Sequence, residues 1–388
     1  MPWQEQSVMS LPEEFVTLAC GGGISFAELC RRFGISRQTG YKWVHRFQTD
    51  GRAGLADQSR RPHRSPSRTD PALEAEIQAV RRQFPTWGGR KIRAYLHHQG
   101  MEAVPTPSTI TEILRRANML ADGPDAPQGP WQRFVRPNPN DLWQLDFKGH
   151  FPLASGRCHP LTVLDDHSRY ALGLVACANQ QGATVQTQLT DLFRRYGIPW
   201  AILTDNGPPW GSTQPTQPLT RLGTWLIRLG IAVHHARPYH PQTSGKIERF
   251  HRTLATDLLQ DYRYASLADT QHAFDAWRRT YNHCRPHDAL ALKVPASCYQ
   301  SSPRPFPESL PELVYADDDI VRQVRPNGYI NYRCREYLIS LALVGQSIAL
   351  RPTTTDGILA VRFAHHHLGE LTLHARHFTM HYGRAAEV

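Results

Sequence analysis

The chain of 388 residues is 40% apolar and 20% charged, an ordinary globular composition with room for about two to four domains. It has no run near the ~18 consecutive apolar residues of a spanning helix. The N-terminal MPWQEQSVMSLPEEFV lacks the basic-then-apolar order of a secretory leader, so a membrane role is disfavoured and a cytoplasmic location is expected. Lys and Arg number 44 against 34 Asp and Glu, a net charge of +10, and the first 140 residues hold 19 against 13. A polyanionic partner such as nucleic acid accounts for that crowding, and so does an incidentally basic soluble protein. The seven cysteines (20, 30, 158, 177, 284, 298 and 334) show neither a C-x-x-C pair nor zinc-module spacing and read as reduced.

In chain order, residues 1–51 predict three short helices. Ser25 with Glu28 three residues on forms a capping box, Gly34 supplies a turn, and Ser36 caps a third helix whose Trp43, Val44 and Phe47 point inward. That is helix-turn-helix spacing. Arg37, Gln38, Lys42 and Arg46 then face outward, where a major groove would meet them. A small bundle with a solvated basic face is the blander reading. Residues 52–69 carry five arginines and two prolines, the composition of an extended linker, and Arg60, Arg61 and Arg64 in it are expected to touch DNA. Residues 70–120 predict a second helix-turn-helix opened by Asp70-Pro71 and Thr106-Pro107, and the Pro-rich stretch 121–140 is a further linker.

Between 141 and 300 the pattern becomes α/β with a mixed sheet. Strand-like LWQLDFKGHF, PLTVLDDHSRY and ALGLVACA precede a helix at 182–196, strand AILTDNG, a helix near 219–229, strand IAVHHARP and helices near 244–262 and 268–283. Short strands with Asn327-Gly328 and Asp356-Gly357 turn signals fill 310–388, and a small β-barrel is the simplest closure.

Asp146 sits within an apolar strand, Asp205 at the end of another, and Glu248 near the start of a helix with an apolar stripe. An unpaired buried carboxylate is costly, so such positions imply a salt bridge, a cap or a metal. Three hard oxygen donors suit Mg²⁺, which keeps water and takes substrate phosphate oxygens. One or two ions would suit these donors, two being the expected number with Mn²⁺ able to substitute, and a pair serves in-line phosphodiester displacement. Asp165 and Asp166 are alternative ligands, although turn and cap roles fit them better. His240 is either a phosphate contact or a packed histidine. Lys246 and Arg252 are read as DNA contacts or as solvated cations. In the triplet His365-His366-His367, strand alternation puts only two side chains on one face, which favours a structural role.

WQLDFKG around Asp146, LTDNGPP around Asp205 and RPYHPQTSGKIERFHRTL around Glu248 closely resemble the core motifs of bacterial insertion-sequence DDE transposases of the retroviral-integrase-like superfamily. The resemblance covers about residues 1–370. It implies a multidomain chain: N-terminal all-α helix-turn-helix units, a ribonuclease-H-like catalytic core and a C-terminal β domain. It further implies that Asp146, Asp205 and Glu248 are the catalytic, metal-binding triad. The activity implied is cleavage at the element's terminal inverted repeats and joining of the 3′-OH to target DNA, by a homo-oligomer assembled on double-stranded DNA. Two features depart from the pattern. The 42 residues between Asp205 and Glu248 are a surplus that fits the loop PPWGSTQPTQPL, which is expected to order on DNA, and the His/His/Cys/Cys zinc unit of retroviral integrases is missing. A domesticated DNA-binding regulator and a ribonuclease-H-like nuclease are the alternatives; retention of all three acids argues against the first, and two helix-turn-helix modules against the second.

Overall fold

Short polar side chains start the N-terminal helices by capturing amides that have no intrahelical partner. Ser25 Oγ accepts from Glu28 N at 3.3 Å and Ser36 Oγ from Thr39 N at 3.1 Å, which opens α2 (Phe26–Arg32) and α3 (Arg37–Asp50) behind α1 (Ser10–Gly21). Phe15, Val16, Leu29 and Cys30 form the core between them, flanked by Phe33, Trp43, Val44 and Phe47. Gly40 permits the close crossing of α3, since a Cβ there would lie 2.8 Å from Cys30 Sγ and 2.9 Å from the Phe15 ring. Packing continues through a 3₁₀ turn, Gly51–Leu55, because Leu55 is apolar and buries fully. The first residues of the basic stretch thus belong to this unit.

The computed structural model describes residues 10–56, 69–120, 135–212, 218–236, 245–260, 263–375 and 377–381. The chain divides into two compact units, Met1–Arg68 and Thr69–Val388. Among the described residues no helix is long and apolar enough to cross a membrane, and all seven cysteines are free thiols.

The second unit begins with α4 (Pro71–Gln83), α5 (Gly89–His98) and α6 (Pro107–Arg116). Asp70 Oδ1 accepts from Ala72 N at 2.7 Å, and Thr106 caps α6. Ile77, Trp87, Ile92, Leu96, Ile110 and Leu114 make their core.

The central sheet contains β1 (Trp143–Phe147), β2 (Phe151–Pro152), β3 (Arg157–Asp165), β4 (Ala171–Cys177), β5 (Ala201–Thr204) and β6 (Ala232–His235). β1, β3 and β4 form an antiparallel meander, β5 lies parallel to β1, and β6 parallel to β5. The sheet is therefore mixed, as the sequence pattern predicts. Buried on both faces, its strands read as near-continuous apolar runs. On one face α7 (Gly182–Tyr196) and α8 (Arg221–Arg228) lay Val185, Leu189, Phe193, Leu222 and Leu226 against Trp143, Leu145, Val163 and Ile202. Each such side chain contributes roughly 1.5–3 kcal/mol of burial. On the other, α9 (Gly245–Leu254), a π-helical turn (Ala255–Leu259) and α10 (Leu267–His283) cover Leu164, Ala171 and Leu174 with Phe250, Leu254 and Phe274. The core packing runs on beyond residue 300: the Arg304 guanidinium donates to Pro199 O (2.6 Å) and Gly230 O (2.9 Å).

The C-terminal part consists of two antiparallel sheets. One has the order β13 (His377–Met380), β12 (His366–Thr372), β11 (Ile358–Phe363), β10 (Ser347–Pro352), β7 (Ile320–Gln323); the other pairs β8 (Tyr329–Tyr332) with β9 (Arg335–Leu338). Asp356-Gly357 turns β10 into its partner β11, as expected. Asn327-Gly328 is also a tight turn, with Gly328 N donating to Arg325 O, but it leads from one sheet to the other instead of joining paired strands.

Candidate functional site

β1 and β5 run parallel in the register Trp143↔Ile202 and Gln144↔Leu203. Carried two residues further, that register brings Asp146 beside Asp205 at the carboxyl edge of the sheet, where neighbouring strands lie about 4.8 Å apart. Gln144, Leu145, Asp146, Leu203, Thr204, Asp205 and Ile247 line a small cleft there. Asp146 Oδ1 accepts from Phe147 N at 2.8 Å. Burial, with the carboxylates of Asp205 and Glu248 adding to it, pushes the Asp146 carboxyl up to about 6. Asp205 is also raised, by partial desolvation, against the lowering effect of the Gly207 amide and His235. Glu248 lies in the first turn of α9, exposed, on a flank of the buried stripe Ile247, Phe250, His251 and Leu254. The structure thus brings two carboxylates into one cleft with the third within electrostatic reach. It does not draw them into a closed shell: among the described residues, no group of three or more His, Cys, Asp or Glu side chains is set to hold an ion.

The motif residues around the acids have structural work. Asn206 Nδ2 donates to Ala236 O at 2.7 Å and ties the end of β5 to the end of β6. Gly211 lies so close to Asn206 O that a Cβ would approach it to 2.5 Å. Trp210, at the start of the surplus loop, is buried and faces Phe147 at 6.1 Å, while residues 213–217 of that loop lie outside the described residues. Asp165 and Asp166 are fully buried; Asp165 accepts from Asn140 N, Ser168 N and Ser168 Oγ, a turn-holding role.

His251, on the buried side of α9, sits beneath Asp146. Thr162 Oγ1 donates to the Asp146 carbonyl at 2.8 Å, so the His251 Nε2–H donates to Thr162 Oγ1, also at 2.8 Å. This tautomer leaves Nδ1 without a proton, 3.7 Å from Asp146 Oδ2. Burial lowers the His251 pKa to about 3, so the ring is neutral. Its position on the buried face was the available signal; its contact with a strand 89 residues earlier was not.

Of the expected DNA contacts, Arg37, Gln38 and Lys42 are exposed on α3, and Arg46 lies over the Trp43 ring at 5.4 Å. Tyr41 shares that exposed surface and stacks on Phe26 at 4.2 Å; the sequence reading passed over it. Arg252 is exposed one turn after Glu248. Lys246 is placed otherwise: its ammonium is paired with the buried Asp166 carboxylate, because it starts α9 on the inward side. Arg60, Arg61, Arg64 and His240 lie outside the described residues. His366 opens β12 while His365 precedes the strand.

Family models match nearly the whole described chain: a helix-turn-helix domain at residues 14–63, a homeodomain-like domain at 39–114, an integrase core domain at 136–241 and again at 229–295, and the C-terminal domain of the IS481 family transposases at 319–379. An uncharacterized 31.7 kDa protein of insertion element IS407 from Burkholderia multivorans is 26% identical over 60% of this chain and 82% of its own length. An uncharacterized 39.2 kDa protein of insertion element IS476 from Xanthomonas euvesicatoria is 30% identical over 44% of this chain, and the match spans 47% of that protein. Among solved structures, the simian T-cell lymphotropic virus intasome in complex with PP2A regulatory subunit B56 gamma matches 74% of this chain and 95% of the compared chain, at 20% identity and a TM-score of 0.35. The HTLV-2 integrase catalytic core in complex with magnesium matches 42% and 97%, at 17% identity and a TM-score of 0.33. Helix-turn-helix, integrase core and IS481-type transposase C-terminal domains thus follow one another along the chain, the order that its resemblance to the insertion-sequence transposases implies.

Proposed function

We propose that the chain cuts the ends of its own element and joins them to new DNA. The carrying observation is the parallel register that sets Asp146 beside Asp205 with Glu248 close enough to raise the Asp146 carboxyl. Crowded carboxylates repel, and a divalent cation relieves that repulsion; three oxygen donors beside an open cleft fit Mg²⁺, or Mn²⁺ in its place. Asp146, Asp205 and Glu248 would hold the metal, two ions in the full assembly. When bound, the metal supplies Lewis-acid activation of the attacking oxygen and charge stabilisation of the leaving one.

The residues of the chain do the positioning. Phe147 N orients the Asp146 carboxylate, the Thr162–His251 pair holds its backbone carbonyl, the Gly207 amide holds Asp205, and α9 presents Glu248. In the first step a water oxygen forms a bond to the end phosphorus and the bond to the 3′ oxygen breaks, which frees a 3′-OH. In the second, that 3′-OH bonds to a target phosphorus, and the target's own 3′ oxygen departs.

The helix-turn-helix and integrase domains imply that the partner is DNA. Arg37, Gln38, Lys42 and Arg46 read the terminal repeats, helped by Arg60, Arg61 and Arg64 of the basic linker 52–69, while 70–120 forms the second reader. Arg252 and His240 meet DNA at the catalytic core, 141–300; residues 121–140 link the two, and 310–388 forms a small barrel. A homo-oligomer assembled on DNA in the bacterial cytoplasm completes the reading.

The test is incubation of the full chain with labelled element ends, plasmid target and Mg²⁺. Joined product is expected from the native chain and none from Asp146→Asn, Asp205→Asn or Glu248→Gln, all of which keep end binding. Joining by any of the three variants removes its residue from the triad. Binding without joining by the native chain supports a regulator, and cleavage of RNA:DNA hybrid alone a nuclease.

A further inference from the structure

The apolar face of α9 says where that helix packs but not how it is rotated or how far it slides, because apolar burial is not directional. The polar contacts at its first turn are directional. Gln144, 1% exposed and two residues before Asp146 on β1, accepts through Oε1 from Ile247 N at 3.3 Å, one of the helix amides with no partner inside the helix. The same side chain donates through Nε2 to Asp166 Oδ1 at 2.8 Å. Asp166, fully buried at the end of β3, also accepts from Arg136 N at 2.9 Å and carries the ion pair with Lys246 Nζ. Lys246 and Ile247 are thereby tied to β1 and β3, and Glu248 follows at the next position. Lys246 points inward and Glu248, about 200° further round the helix, points outward.

Resting on the metal reading above, we propose that Gln144, Asp166 and Lys246 are positioning residues that set the placement of Glu248, and through it the affinity of the cleft for a divalent cation. A buried ion pair is a weak source of net stability compared with an apolar replacement. Its use here is to hold the first turn of α9 in one register against the strand that bears Asp146. Lys246 serves in this way as an internal tether, with no contact to DNA.

The test compares the native full chain with Lys246→Met, Lys246→Arg and Gln144→Met. Mn²⁺ binding is read without DNA, from the paramagnetic resonance signal of free Mn²⁺, and the half-saturating Mg²⁺ concentration is read from joining. Loss of an outer-shell partner typically weakens metal binding about 10–100-fold, so Lys246→Met and Gln144→Met are expected to weaken Mn²⁺ binding about tenfold or more, with Lys246→Arg rescuing most of it. The half-saturating Mg²⁺ concentration rises by a similar factor, and end binding stays near native. A lower melting temperature with native Mn²⁺ affinity overturns the proposal, since that is what a merely structural pair would show. Weakened end binding with native Mn²⁺ affinity also overturns it and returns Lys246 to the DNA surface. Should Lys246→Met fail to fold, Gln144→Met decides by the same two readings. A native chain that neither binds Mn²⁺ nor joins DNA removes the metal reading itself, whereas native binding with unaffected variants removes only the tether.

Discussion

Replacing Asp257 by Ala tests how the second helical region is fastened to the integrase core. Asp257 lies in the π-helical turn after α9, 14% exposed in its side chain, and accepts three hydrogen bonds: Thr86 Oγ1 at 2.8 Å, Trp277 Nε1 at 3.2 Å and Arg285 Nη1 at 2.8 Å. Thr86 belongs to the α4–α5 turn, Trp277 to α10, and Arg285 follows α10 at 8% exposure. Hydrogen bonds to a charged group are each worth about 1.5–3 kcal/mol, and breaking a buried pair at one partner costs about 3–5 kcal/mol. Water reaches the part-exposed rim once the carboxylate is gone, so the whole change is expected to cost about 3 kcal/mol. Asp257→Asn keeps one oxygen acceptor and loses the charge, and should cost about half as much. The assay is urea unfolding followed by tryptophan fluorescence, to which Trp277 and the buried Trp87 report directly. In a double-mutant cycle with Arg285→Ala, a coupling of about 1–2 kcal/mol is expected for contacting partners. A cost under 1 kcal/mol for Asp257→Ala, or additive single effects, would refute the assignment of Asp257 as the fastening point.

Burial, with Arg169, Lys91 and Arg285 adding to it, lowers the His287 pKa to about 3. The unfolded chain then takes up a proton below about pH 6.5 that the folded chain refuses, so stability is lost as pH falls from 6.5 towards 3. His287→Gln should remove about 2 kcal/mol of the stability difference between pH 7.5 and pH 5, measured by urea melts; an unchanged difference would mean that His287 is protonated in the fold. Asp146 has the opposite slope. Its raised carboxyl makes the native chain lose stability as pH rises from about 3.8 to about 6, so Asp146→Asn should raise metal-free stability at pH 7.5 by about 1–2 kcal/mol while abolishing joining. No gain in calorimetry would count against carboxylate crowding. Changing Arg37 and Lys42 together to Ala should weaken end binding and lower the slope of log K against log salt by about 2, as expected for two lost phosphate contacts. A footprint and slope like those of the native chain would exclude α3 as the reader.

Much of this protein is legible residue by residue. Ser25, Ser36, Asp70 and Thr106 mark helix starts because a capping side chain acts on an amide two or three residues away, well inside the reach of local sequence. The apolar runs at 143–147, 161–164 and 201–204 state that they are buried strands, and the i, i+3, i+4, i+7 spacing of Ile247, Phe250, His251 and Leu254 states which side of α9 packs. Asp146 stands out because an acid within an apolar strand is costly without a partner, whereas Asp205 and Glu248, both exposed, are marked only by the motifs around them.

What local sequence did not contain is partnership across distance. That Asp146 and Asp205 share a cleft depends on β1 and β5 being parallel neighbours in one particular register, which the whole sheet decides. That Lys246 pairs inward with Asp166, 80 residues away, depends on the rotation of α9 about its own axis. The same holds for His251 beneath Asp146, for Asp257 under Thr86, and for the Asn327-Gly328 turn that connects two sheets instead of closing a hairpin. Periodicity specifies which side of an element is buried; directional hydrogen bonds and the register of distant strands specify what it is buried against, and these exist only once the chain has folded.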